Sequence, residues 1–261
     1  MQVTGLYKGV IFCFIFILSF AQVLYACEKP FDVRTTLPKY EDNLLHLLIN
    51  TGKSVPDTEY TSIKLDLNRF VDKLTRKRNR YHSEELFLKY VFYKIHNRYL
   101  KHYTSHANFR QTMTKGKYDC LTGTALYALV FQALGVEFVI HELPYHVYMT
   151  ATMGNGKSLL LESTDGLSGY VTDPNEIEAL TKKYHEDINA TDINYYQYKF
   201  KIDAQVQLKE LVALVYYNEA IKSYNNQDWS EARSALTIAQ QLYPGKRMDT
   251  LSSLIRQIAQ H

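Results

Sequence analysis

The sequence predicts an α+β domain followed by an all-helical C-terminal segment, and three stretches carry that reading. Residues 120–134 are apolar nearly all round and run into Gly135, the pattern of a buried helix with a glycine stop. Residues 137–143, 146–153 and 158–162 have strand character, the last two separated by the hairpin turn Gly154-Asn155-Gly156. From about Asp203 onward the apolar positions recur at helical spacing to the end of the chain.

Residues 1–26 contain one charged residue, Lys8, then an apolar run at 10–18 and small residues. This is the pattern of a secretory signal peptide, so export to a bacterial periplasm or envelope is expected. Two processing sites compete. Ser19-Phe20-Ala21 suits ordinary cleavage after Ala21, whereas Leu24-Tyr25-Ala26-Cys27 resembles a lipoprotein box in which Cys27 receives a lipid. An uncleaved anchor fits less well, because the apolar run is shorter than the roughly twenty residues of a span. Membrane association is therefore expected only through an N-terminal lipid.

Of the 261 residues, three are cysteines: Cys13 leaves with the signal, Cys27 lies at its boundary, and Cys120 remains inside the domain. Export normally favours paired cysteines, so a single retained thiol draws attention. Inert packing of Cys120, or pairing with Cys27, is the plain alternative. The formal charge is +3, and falls to about +2 without Lys8, a balance that implies no nucleic-acid partner.

The stretch 27–57 reads as a tether with a short helix at 40–49. An amphipathic stretch at 61–74 leads into Arg76-Lys77-Arg78-Asn79-Arg80, which reads as a solvated helix end whose cations suit a C-terminus. Ser83 caps the next helix, expected through His102, with Glu84 and Glu85 in its first turn and Phe87, Leu88, Val91, Phe92, Ile95 and Tyr99 on one stripe. A short helix is expected at 108–113. His96, His102 and His106 are spaced too unevenly, and without a thiol or carboxylate, to form a zinc set. No cofactor motif occurs.

Cys120 begins the buried helix, where unpaired N–H groups and the helix dipole favour a thiolate and an oxyanion. His146 opens a strand, and carboxylates follow at Glu162 and Asp165. If the hairpin loop spans 154–156, paired residues have numbers that sum to 310, and Glu162 lies diagonal to His146 on one face. If the turn is Asn155-Gly156, the sum is 311 and Asp165 lies opposite His146. His141 is a second candidate base, on the face of Val139 and Leu143. Tyr118 is a candidate oxyanion donor or an ordinary packed ring.

In Cys120 at a helix start, His146 at a strand start, and Glu162 within Leu161-Glu162-Ser163-Thr164, the chain resembles the transglutaminase-like superfamily of papain-like thiol enzymes. The resemblance covers roughly residues 87–169. It implies a papain-like core with the nucleophile helix on an antiparallel sheet, and it assigns Cys120 as nucleophile, His146 as base and Glu162 as orienting acid. The third member is commonly Asp in that family, so Glu162 is a conservative departure and Asp165 a second candidate. A peptide or protein substrate is implied, with either hydrolysis or acyl transfer at an amide.

Beyond Asp165, residues 166–171 read as turn and strand and 174–184 as a short helix starting with Pro174. Asn189-Ala190-Thr191 has the form of a glycosylation acceptor, without default meaning in a bacterium. Tyr195, Tyr196 and Tyr198 form a tyrosine-rich passage. Tyr216, Ala220, Trp229, Ala232, Leu236, Ala239 and Pro244 are spaced in a way that resembles one tetratricopeptide repeat, with Gln227-Asp228 at the turn and a third helix from Arg247. That segment is expected to pack as an appendage or to hold a partner protein. The expected layout is a signal at 1–26, the tether at 27–57, a transglutaminase-like domain at 58–202 and the helical region at 203–261. The alternative to an enzyme is a noncatalytic envelope module that docks through these helices.

Overall fold

The computed structural model describes residues 42–190 and 203–258. The signal-like stretch, residues 27–41 of the tether including Cys27, and the tyrosines Tyr195, Tyr196 and Tyr198 lie outside the described residues.

Among the described residues three helices come first: α1 (Asp42–Ile49), α2 (Asp57–Arg78) and α3 (Glu84–Tyr99). α2 exceeds the amphipathic stretch at both ends. Asp57 and Glu59 lie in its first turn and Arg76, Lys77 and Arg78 in its last, each charge opposing the nearer pole of the helix dipole. Ser83 caps α3 by accepting the Leu86 N–H, as expected, but the helix stops at Tyr99 rather than His102. The reason is a competing pairing: β1 (His102–Tyr103) forms a parallel ribbon with β2 (Lys117–Tyr118). Between them lies α4 (Phe109–Lys115), capped by Asn108 and ended by Gly116 in the left-handed region at φ 69°.

α5 (Cys120–Leu134) follows β2 after one residue, Asp119. All its side chains are buried except those of Cys120 and Gln132, which are partly exposed, so the apolar perimeter read in the sequence is matched by cover on every side. Each fully buried Leu, Phe or Val contributes roughly 1.5–3 kcal/mol of transfer free energy. The helix is thus a principal source of the driving force for folding.

The sheet is built from β3 (Phe138–Glu142), β4 (Val147–Thr152), β5 (Ser158–Leu161) and β6 (Tyr170–Val171). After α6 (Pro174–Ala190), β7 (Ala204–Val206) joins beside β3, giving the order β6-β5-β4-β3-β7 with every pair antiparallel. Met149 faces Leu161 and Thr152 faces Ser158, so paired numbers sum to 310. The loop is the three-residue one, with Gly156 supplying the positive φ of 79° that such a turn needs. One face of the sheet, through Ile140, Met149, Ala151 and Leu161, shares the core of α5. The other, through Tyr148, Leu160 and Val171, is covered by Ile177, Leu180 and Tyr184 of α6. The fold is α+β, with helices on both faces of an antiparallel sheet.

Three helices complete the chain: α7 (Leu208–Asn225), α8 (Trp229–Leu242) and α9 (Lys246–Ile258). Ala220, Ala232 and Ala239 are 0% exposed, so small side chains lie where α7 and α8 pack together. Trp229 meets Tyr224 edge-on at 5.3 Å. The division expected at 203 is not reflected in the packing. β7 is a strand of the main sheet, α7 packs on both α5 and α1, and one continuous core runs from Leu44 to Ile255. The Tyr216 hydroxyl donates to the Leu47 carbonyl at 2.9 Å. Among the described residues no helix is long and apolar enough to cross a membrane.

Candidate active site

Asp119 starts the site. Its carboxylate accepts the Thr122 N–H and the Thr122 hydroxyl, each at 2.8 Å, while its own N–H donates to Thr122 Oγ1 at 3.0 Å. This reciprocal cap fixes where α5 begins and so places Cys120 as its first residue. Cys120 is a free thiol with partial access to solvent, although its surroundings are densely packed. Burial pushes the thiol up to about 12, with the charges of Asp119 and Glu162 adding to the rise and the N–H groups of Val147 and Leu121 opposing it. The thiol therefore keeps its proton at neutral pH unless a base removes it.

His146 occupies the tight connection between β3 and β4, where the Leu143 N–H donates to the His146 carbonyl at 2.8 Å. Its Nε2 lies 2.5 Å from Glu162 Oε2. Burial opposes ionisation of Glu162, yet hydrogen bonds from His146 and Thr164, together with the imidazole charge, hold the carboxyl below its usual value. An ionised carboxylate can only accept, so Nε2 carries a proton, and in the neutral ring Nδ1 is then the acceptor. The second oxygen of Glu162 accepts from Thr164 N at 3.0 Å and Thr164 Oγ1 at 2.6 Å. Tyr184 of α6 donates to Oε2 at 3.2 Å and packs on the imidazole at 5.5 Å.

Cys120 heads α5, and α5 packs on β4, the strand that begins immediately after His146. The N–H of Val147, the residue after His146, favours the Cys120 thiolate. Among the described residues no hydrogen bond joins the Cys120 thiol to the imidazole.

Of the other candidates, Asp165 is not brought to His146. Its Oδ1 instead accepts from Leu167 N at 2.9 Å and Ser168 N at 2.8 Å, closing its own loop, because the 310 register puts Glu162 in the position nearer the imidazole. His141 is also engaged elsewhere: Nε2 lies 2.8 Å from Thr150 Oγ1 and the ring stacks on Tyr148 at 4.5 Å. Tyr118 is buried and packs edge-on against Tyr103 and His96, which makes it a packed ring rather than an oxyanion donor. His96 is buried beside Phe92 and Tyr127, where burial pushes it down.

Sequence reasoning missed Ser163, Gly123, Tyr184 and Tyr103. Ser163 is 0% exposed; it donates to the Cys120 carbonyl at 3.3 Å and lies 3.1 Å from Thr124 Oγ1. It pins the strand end that bears Glu162 to the first turn of α5. Gly123 makes room for it, since a Cβ there would meet Ser163 Oγ at 3.0 Å. A glycine inside a helix costs about 1 kcal/mol relative to alanine, and that cost was the available signal of a close approach. Tyr103 stands on β1, 59% exposed, edge-on to Tyr118; partial burial raises the phenol, and the charge of a Cys120 thiolate raises it further.

No family model matches the chain, and neither a curated protein nor a solved structure matches it.

Proposed function

We propose that the chain is an exported thiol enzyme of the transglutaminase-like, papain-like kind, acting on amide bonds of peptides or proteins. The observation that carries this reading is the His146–Glu162 pair at 2.5 Å, set beside a cysteine at a helix start. Inert packing of Cys120 gives no reason for an imidazole to be oriented by a buried carboxylate next to it. In the reaction, Nδ1 of His146 takes the thiol proton as sulfur bonds to the amide carbonyl. The oxyanion lies at the head of α5, where N–H groups and the helix dipole favour negative charge. The C–N bond then breaks, the imidazolium gives its proton to the leaving amine, and a thioester remains. Water or a second amine attacks the thioester and releases Cys120.

One observation favours the noncatalytic alternative: a thiol pushed up to about 12 and not bonded to the imidazole is a weak nucleophile at rest. Alkylation separates the two readings. Iodoacetamide labelling of the full chain, with mass spectrometry to localise the adduct, should modify Cys120 faster than glutathione, and His146→Ala should slow it at least about tenfold. Labelling at or below the rate of glutathione, unchanged by His146→Ala, would leave a binding module.

A further inference from the structure

The run Arg76-Lys77-Arg78-Asn79-Arg80 is not a uniformly solvated helix end. Arg78 turns inward, donating to Glu84 Oε1 at 3.0 Å and lying over the Phe87 ring at 5.3 Å. Its neighbours face the other way. Lys73, Arg76 and Lys77 follow the i, i+3, i+4 spacing of one face of α2, and with Arg80, two residues past its end, they form one wall of a groove of about 680 Å³. The facing wall is Tyr90, Lys94, Asn97 and Arg98, on one face of α3, with Lys101 two residues past its end.

No carboxylate lines the groove. Among the described residues Arg98 is the one groove cation with a carboxylate partner, Asp66 at 2.5 Å. Aromatic rings form part of the floor and hold the cationic heads: Lys77 and Lys94 lie over Tyr90 at 5.7 and 5.4 Å, and Arg98 over Phe70 at 5.8 Å. Like charges gathered on two converging faces repel, and screening over a Debye length of about 10 Å at 0.1 M salt relieves this only in part. A bound anion of high charge removes the repulsion. The volume is in the range of small-ligand pockets, roughly 300–1,000 Å³, and a concave site suits a compact ligand better than a flat surface.

We propose that this groove binds a compact polyanion bearing clustered phosphate groups, either a soluble polyphosphate-like molecule or a phosphorylated headgroup. The arginines offer paired N–H donors to phosphate oxygens and the lysines offer point charges. This site is separate from Cys120 and its occupancy does not depend on the enzyme reading.

Titration calorimetry of the full chain with inorganic tripolyphosphate tests the soluble source, and co-sedimentation with phosphatidylglycerol vesicles against phosphatidylcholine vesicles tests the headgroup source. Saturable binding in either arm is expected, weakening at least about tenfold as salt rises from about 0.05 M to about 0.3 M. The triple variant Lys73→Ala, Lys94→Ala, Lys101→Ala should bind at least about tenfold more weakly, with Lys209→Ala, on α7 outside the groove, unchanged. If the triple variant melts early, the pair Arg76→Ala and Lys101→Ala carries the same comparison. Tripolyphosphate should also raise the Tm of the parent and not that of the variant. Absence of binding in both arms, or binding that the variants retain, overturns the proposal.

Discussion

At His146 a single carboxylate decides which ring nitrogen holds the proton, so the first test belongs there. Glu162→Gln keeps the shape but replaces a charged acceptor with an amide, and should slow Cys120 alkylation on the order of tenfold to a hundredfold. Asp165→Asn, which alters only a loop cap, should leave the rate within about twofold. Equal rates in the two variants would remove Glu162 from the site. Because Glu162 is held below its usual value of 4.5, its ionisation adds stability that is full above that pH and is lost as pH falls through the lowered value. Glu162→Gln should therefore flatten the acid limb of Tm against pH. His96, pushed down by burial from 6.5, behaves in the same sense at higher pH: its stabilisation is full above 6.5 and erodes as pH falls below it. His96→Phe should reduce the loss of Tm between pH 6.5 and 5, and an unchanged slope would exclude His96 as its source. Cys120, His146 and Glu162 could be singled out in the sequence because their residue types carry chemistry. Ser163 could not, because what it holds is a backbone carbonyl 43 positions away.

Among the elements, the β4–β5 hairpin shows how far local chemistry reaches. Gly154-Asn155-Gly156 restricted the register to two alternatives, and the left-handed backbone at Gly156 goes with the one that presents Glu162. α3 ends before His102 because a strand pairing made by His102 and Tyr103 overrides helical propensity. The basic run at the end of α2 was read as solvated for a related reason: its facing cations sit on another helix, and spacing within one stretch does not reveal the wall opposite. Close approaches between elements are where small residues become decisive. Gly123→Ala drives a Cβ to 3.0 Å from Ser163 Oγ and should cost about 1–3 kcal/mol by overpacking. It should also slow Cys120 alkylation, since the displaced serine belongs to the segment that carries Glu162. Ala232→Leu, at the α7–α8 contact where the side chain is 0% exposed, should cost a similar ~1–3 kcal/mol without altering alkylation. Denaturant midpoints measure both, and a neutral Ala232→Leu would show that the two helices do not meet there.

Across the whole molecule, the boundary expected at 203 follows the onset of continuous helical spacing, and packing crosses it. The three residues of β7 are too few to announce a strand, and the apolar face of α7 reads the same whether it covers a neighbouring helix or the nucleophile helix. A tie that no local pattern signals joins the two parts: Glu142 at the end of β3, 1% exposed, forms an ion pair with Arg247 of α9. The guanidinium lies over Tyr217 and Tyr243 at 5.4 and 5.8 Å. Neither oxygen of Glu142 has an aligned hydrogen bond, so the charge of Arg247 is its main compensation. Arg247→Met should then leave a buried carboxylate uncompensated and cost about 3–5 kcal/mol, and adding Glu142→Gln should recover part of that loss. The chain has a single tryptophan, Trp229 on α8, whose fluorescence reports the C-terminal helices, while far-ultraviolet circular dichroism reports the whole chain. With one shared core the two signals should give the same unfolding midpoint in urea for the parent and for Arg247→Met. Two separated midpoints in the parent would mean that the C-terminal helices fold as their own unit after all.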